Sequence, residues 1–255
     1  MSAPDRILAI LQLFEDGQPV WTVEEIAGAI QASTSTTYRH VRSLVQAGFL
    51  DPVTGAGYTL GPAFIRYDRI SRQNDEVIRV ARPEMKRLLE ETTQRATVIL
   101  CRRFKDCVMC VHEEHGDEPH ASTTYERGVA MPMFLGATSK VILSNLQERS
   151  LRTVYLGNED QIRDAAGVRD WPEFKEQIRS IKKAGFAMTD SEVAPGRVGI
   201  AAPVSRAGLV VAGISLVLVP DAEQRNLLKA YAECVVSAAA RLSSALTDTA
   251  VVGSR

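Results

Sequence analysis

The sequence has no apolar run long enough to cross a bilayer. Its longest uncharged, strongly apolar stretch, Ala207 to Pro220, is 14 residues, where a spanning helix needs roughly 20. Cysteine is scarce, four in 255 residues with three of them between 101 and 110, which excludes a disulfide-built scaffold. The glycine spacings of a dinucleotide or phosphate loop and of a nucleophile elbow are missing, and Gly196-x-x-Gly199 is too short to serve. An excess of one charge is missing too: 30 Lys and Arg against 31 Asp and Glu leave −1, so any contact with a polyanion must be local rather than steered by the whole molecule. Ser2-Ala3-Pro4-Asp5-Arg6 has no basic region leading into an apolar stretch, so a cytoplasmic location away from membranes is expected. What is present, 45% hydrophobic and 24% charged residues without repeats or low-complexity tracts, suits one large globular domain or a small one followed by a larger one.

Helical periodicity opens the chain. Ile7, Leu8, Leu11 and Phe14 form a stripe over Pro4 to Glu15, closed by Asp16-Gly17. Thr22-Val23-Glu24-Glu25 has the form of a capping box ahead of a second helix over Val23 to Ala29. Hydroxyl caps at Ser33, Thr34 and Ser35 precede a third stripe, Thr37, Tyr38, Val41, Leu44 and Val45, which stops at Ala47-Gly48. Phe49 to Val53, turn residues 54–57 and Tyr58 to Leu60 then read as a hairpin. Helix, helix, helix, hairpin is the order of a winged helix-turn-helix. Gly61-Pro62 ends this unit, and residues 63–80 read as an arginine-containing linker helix. From Pro83 the pattern becomes α+β: a helix to Thr92, strands over Thr97 to Arg102 and Cys107 to His112, helices over Gly136 to Leu146 and Pro172 to Ala184, strands over Gly199 to Pro203 and Val210 to Val219, and a long helix from Asp221 to Ala245.

The third helix carries a distinct outer face. Stepping about 100° per residue, Ser35, Thr36, Arg39, Ser43 and Gln46 fall opposite the apolar stripe, with His40 and Arg42 on the flanks and Thr34 at the start. All can hydrogen-bond and none is acidic. A major groove admits one helix, Arg matches the O6/N7 edge of guanine, Gln matches adenine, and hydroxyls suit phosphate. On periodicity alone the same face reads equally as the solvated side of a core helix. Residues 1–60 hold three basic side chains (Arg6, Arg39, Arg42) against six acidic ones (Asp5, Glu15, Asp16, Glu24, Glu25, Asp51), net −3. Few counterions would then be released per subunit, and binding to DNA would depend only shallowly on salt.

Ser35-Thr36-Thr37-Tyr38-Arg39, then Leu44 to Leu50, then Tyr58-Thr59-Leu60-Gly61 resemble the DNA-binding domain of IclR-type bacterial transcriptional regulators. Gly185-Phe186-Ala187, Asp190-Ser191-Glu192, Gly196 and Gly199 to Val204 resemble the signature stretch of that family's effector domain, in the right order and at the right separation. The resemblance implies an α+β protein: a winged helix-turn-helix over 1–62, a linker helix over 63–80, and a GAF-like effector-binding domain over 81–250. It implies a double-stranded DNA operator and a small organic-acid effector as partners, assembly as homodimer or dimer of dimers, and no cofactor. Repressor and activator stay open, because the sign depends on where the operator lies relative to RNA polymerase, a further partner class. Control of catabolic genes is expected.

Positions matching the family's ligand contacts are Ala137 and Thr138 through main chain, Thr189 and Gly199 in the signature stretch, and Ser215 and Val217 on the last strand, with Asp190 beside the first of these. Where small-oxoacid-sensing members place an Asp, a Cys and a second Ser, this chain has Thr189, Gly199 and Val217, and Met131, Met133 and Phe134 offer apolar lining. An organic acid with a larger apolar body, aromatic bodies included, is the expected effector. The first turn of the helix near Gly136 supplies amides for its carboxylate. The alternative is that these residues only pack the domain.

Cys107-x-x-Cys110-x-His112-x-x-His115, with Cys101 and His120 nearby, is the one pattern suggestive of a metal. Strand alternation would put Cys110 and His112 on one face and Cys107 on the other, so no metal site is expected. A standalone small-molecule sensor or a cysteine-dependent enzyme without DNA binding is the rival class, and nothing in the chain supplies the rest of a hydrolase's machinery. No enzyme activity is expected.

Overall fold

The computed structural model describes residues 2–55, 57–119 and 125–252, and the chain divides into two compact units, 1–75 and 76–255. In the first, α1 (Ala3–Gln12) ends in a short 3-10 turn, Leu13–Asp16, that Gly17 closes at φ 85°. The expected helix to Glu15 is therefore α-helical only to Gln12. α2 (Val23–Ala29) starts on the Thr22 box: the Glu25 amide donates to Thr22 Oγ1 at 3.2 Å and the Thr22 amide to Glu25 Oε2 at 2.8 Å. α3 (Thr34–Gln46) starts on Ser33, whose hydroxyl accepts from the Thr36 amide. Ile10, Ile26, Ile30, Val41, Leu44 and Leu50 close one core among them. The hairpin β1 (Leu50–Val53) and β2 (Gly57–Leu60) pairs Leu50 with Leu60, and Trp21 adds an isolated bridge to Tyr58. α4 (Ala63–Asn74) lays Phe64 and Tyr67 against Phe49, with ring centroids 5.5 and 5.7 Å apart.

The single linker helix expected over 63–80 is two helices. Asp75 is extended (φ −75°, ψ 109°) and caps α4, and α5 (Glu76–Glu91) runs straight through Pro83. Proline removes one helical hydrogen bond. Burial of Val77, Ile78 and Ala81 in line with Met85, Leu88 and Leu89 outweighs that loss, since each large apolar side chain buried is worth about 1.5–3 kcal/mol.

The second unit is built on a six-stranded, wholly antiparallel sheet, order β5-β4-β3-β8-β7-β6. Its strands are β3 (Ala96–Phe104), β4 (Cys107–His115), β5 (Ala130–Pro132), β6 (Ala187–Asp190), β7 (Val198–Arg206) and β8 (Leu209–Leu218). β7 and β8 turn through Ala207-Gly208, both at positive φ, the backbone that a two-residue hairpin matched to strand twist requires. Strand alternation sorts the side chains into two layers. Val98, Leu100, Ile200, Ala202, Ile214 and Leu216 meet α5 and the long α10 (Ala222–Val252). Ile99, Cys101, Val108 and Cys110 meet the opposite layer, α6 (Ala137–Leu143), α7 (Glu148–Gly157), α8 (Glu159–Ala166) and α9 (Trp171–Ala184). Both faces are covered, which explains why β8 is apolar nearly throughout. α7, α8, β5 and β6 went unread in the sequence. No helix among the described residues is long and apolar enough to cross a membrane.

Candidate DNA interface and ligand cavity

α3 offers its polar face as its spacing predicts. Thr34, Ser35, Arg39, Arg42, Ser43 and Gln46 are exposed and Thr36 is half-buried, while Thr37, Val41 and Leu44 are buried. The hydroxyls are locally tied: Ser33 Oγ donates to Thr36 Oγ1 at 3.0 Å and Ser43 Oγ to the Arg39 carbonyl at 3.1 Å. Two positions depart. Tyr38, at the edge of the apolar arc, is 53% exposed rather than inside; its phenol borders an open cleft of about 570 Å³ between α3, the start of α2 and the hairpin, which Ser35 and Arg39 also line. His40 is half-buried, and its Nε2 is sealed with no hydrogen-bond partner among the described residues, so that nitrogen faces protein rather than solvent. Glu24 lies on the same cleft, the local expression of this unit's acidic balance.

In the second unit, strand register gathers positions expected to contact a ligand. Thr189 pairs with Gly199, Gly199 with Val217 and Val217 with Thr97, one row across β6, β7, β8 and β3; Ala201, Ser215 and Ile99 form the next. Over these rows sits α6, whose seven residues are all buried. It can approach because β8 carries Gly213, where a Cβ would stand 3.0 Å from Thr138 Cγ2. The resulting cavity, about 30 Å³, is lined by Ala137, Thr138, Thr189, Gly199, Ser215 and Val217, together with Ile99, Tyr125, Gly136, Val193 and Arg197.

Two expected members do not line it. Met133 is 1% exposed and packs with Met131 and Phe134 in the core beneath α6–α9, because the chain before α6 runs inward. Asp190 lies at the end of β6 and holds Arg225 Nη1 at 2.8 Å while accepting from Ser191 Oγ; those two contacts hold its carboxyl below the usual range. The first turn of α6 also differs. Glu192 Oε1 accepts from the Gly136 amide at 3.1 Å and Glu192 Oε2 pairs with Lys140 Nζ at 2.7 Å, an ion pair with both side chains largely buried, so a carboxylate of the protein itself already holds that end. Gly136 needs its residue type: φ is +81° and a Cβ would come 2.5 Å from the Tyr125 hydroxyl. Tyr125 OH donates to the Leu135 carbonyl at 2.6 Å and lies 2.9 Å from Ser139 Oγ. Burial pushes that phenol up, so it stays a neutral hydroxyl. Arg197 and Tyr125 were missed because neither lies on an amphipathic stripe; both reach the cavity from irregular chain.

The cysteine and histidine cluster disperses as alternation requires. Val108, Cys110 and His112 are buried on one face while Cys107 lies on the other; His112 Nε2 meets Glu114 at 2.8 Å and His115 Nδ1 meets Thr97 at 3.2 Å. Among the described residues no three His, Cys, Asp or Glu are grouped to hold a metal ion. His120 lies outside the described residues.

Comparison with known families decides the assignment. The model of the bacterial transcriptional regulator IclR C-terminal domain matches residues 71–244, and that of the IclR helix-turn-helix domain matches residues 3–53. The chain belongs to the IclR family. It is an IclR-family transcriptional regulator with a DNA-binding helix-turn-helix and a C-terminal ligand-binding domain. The HTH-type transcriptional regulator KipR of Bacillus subtilis (strain 168) is 24% identical over 214 residues, 83% of each chain. Among solved structures, an IclR-family regulator from Brucella abortus superposes with a TM-score of 0.75 at 18% identity, covering 96% of this chain and 92% of that one. An IclR homolog from Microbacterium hydrocarbonoxydans, complexed with 4-hydroxybenzoate, gives 0.71 at 19%, covering 96% and 99%. At these identities the structures establish the fold.

Proposed function

We propose that this IclR-family regulator binds a pseudo-palindromic operator as a homodimer or dimer of dimers, and that a small organic acid in the C-terminal cavity changes its affinity for that operator to control catabolic genes. The observation that carries the first half is the face of α3: two guanidiniums, several hydroxyls and an amide exposed along one side of a helix that contains no acid. Arg39 is the candidate base reader, with Arg42, Gln46, Ser35, Thr36 and Ser43 sharing base and phosphate contacts. The decisive measurement is a gel shift with the chain's own upstream intergenic region at low salt. Retardation is expected there and not with unrelated DNA; no shift across fragments spanning the neighbouring promoters would overturn the reading. The log–log salt slope of a bound dimer should be shallower than about −10, the value of a strongly phosphate-driven repressor.

The effector reading rests on the row of Thr189, Gly199 and Val217 beneath α6. At about 30 Å³ the cavity has room for about two water-sized probes, so an apolar body of aromatic size requires the lining to part. The 4-hydroxybenzoate held by the Microbacterium homolog is consistent with an aromatic acid on this fold. Titration calorimetry with glyoxylate, benzoate and 4-hydroxybenzoate tests it: binding of the aromatic acids with release of operator is expected, and binding of glyoxylate alone would rule out the larger effector.

A further inference from the structure

We infer that Tyr38 holds one strand of the operator's backbone, its phenol donating a hydrogen bond to a phosphate in the cleft between α3, the start of α2 and the hairpin. The inference rests on the operator-binding reading above and adds a contact that helical periodicity had turned away from DNA. Tyr38 is 53% exposed and lines the cleft, and its hydroxyl has no hydrogen-bond partner among the described residues. Other hydroxyls of this face are already engaged: Thr36 Oγ1 accepts from Ser33 Oγ, and Ser43 Oγ donates to the Arg39 carbonyl. A phenol also carries its O–H farther from the helix axis than serine or threonine does.

Thr34 and Tyr38 stand four residues apart on α3, as do Ser35 and Arg39, so the two pairs are adjacent ladders on the helix surface. All four line the cleft. In a helix-turn-helix the second helix enters the major groove while the first crosses the backbone, so a cleft that has α3 for one wall and the start of α2 for another lies where a strand's phosphates pass. Glu24, on the α2 wall, is the one carboxylate among the described lining residues. A phosphate therefore seats against the α3 wall, where Arg39 suits a base edge and the neutral hydroxyls are left for the backbone. A hydrogen bond from O–H to an ionised phosphate is charge-assisted, yet a neutral donor displaces no counterion. In a unit whose residues 1–60 carry net −3, such a contact adds affinity without adding salt dependence.

The experiment is fluorescence anisotropy of the full chain on its own upstream intergenic fragment and on unrelated DNA, over a series of salt concentrations. Tyr38→Phe keeps the ring and removes only the hydroxyl. It is expected to weaken both DNAs by the same factor, about tenfold, with the log–log salt slope and the thermal midpoint unchanged. Replacing single operator phosphates by uncharged methylphosphonates then locates the partner: one position in each half-site should cost the wild type clearly more than it costs Tyr38→Phe. Equal affinity of Tyr38→Phe and wild type overturns the contact and leaves the operator reading standing. So does a loss confined to one base pair, a loss with a flatter salt slope, which would mark a disturbed guanidinium contact, or a scan in which no phosphate couples to Tyr38. A wild type that binds neither DNA overturns the operator reading and this contact with it.

Discussion

Two short helices, α3 and α6, both carry hydroxyls and positive charge, and the protein uses them in opposite ways. α3 turns Ser35, Arg39, Arg42 and Gln46 outward to solvent, whereas α6 buries Thr138, Ser139 and Lys140 along with its apolar residues. The first helix can leave its polar groups to water. The second buries them inside the protein, where Glu192 pairs with Lys140 and Tyr125 meets Ser139, while Thr138 lines the cavity. Polar residues on an exposed helix face are therefore available to a partner, while Ser139 and Lys140 on α6 are structural commitments.

The sharpest way to break this contrast is Lys140→Met. It leaves the Glu192 carboxylate largely buried without its cation and should destabilise the protein by about 3 kcal/mol or more in chemical denaturation; adding Glu192→Gln should recover part of the loss. Arg39→Ala is the matched change on α3. It should leave folding within about 0.5 kcal/mol while costing about 1–3 kcal/mol at a specific base pair in operator binding. Uniform weakening across sequences would instead make Arg39 a phosphate clamp. Ser33→Ala tests whether α3 depends on its cap rather than on burial, with an expected loss of about 1 kcal/mol.

The smallest effect belongs to the Asp190–Arg225 pair, about half exposed on each side and so worth at most about 0.5 kcal/mol. Since Arg225 and Ser191 hold the Asp190 carboxyl below its ordinary value, its contribution is full above the unfolded carboxyl's pKa of about 3.9. It is lost as pH falls through the lower folded value. Asp190→Asn should therefore match wild type in acid and fall slightly behind it near neutral pH. Acid titrations of stability check the sign.

Local signals made the first unit legible. The Thr22–Glu25 box, the Ser33 cap and the stop at Gly48 each satisfy or end a helix within a few residues, and α2 and α3 begin where the two caps place them. Tyr38 escaped because it sits at the edge of the arc, where periodicity does not choose a side. In the second unit, Ser215 and Val217 could be assigned to one face of one strand from their spacing. The run of 148–166 escaped because its two short helices alternate charged and apolar residues without strong caps, and β6 because four residues are too few for a period.

The amino-acid sequence alone determined the helix order of the first unit, the outward face of α3 and the family, because caps, periods and signature residues act over short distances along the chain. Only the tertiary structure decided that Thr189, Gly199 and Val217 share one row, that α6 is sealed with Lys140 on Glu192, and that Arg197 reaches the cavity while Met133 and Asp190 do not. Those outcomes depend on the pairing of strands distant in sequence and on which buried charge finds a partner, and no local period encodes either.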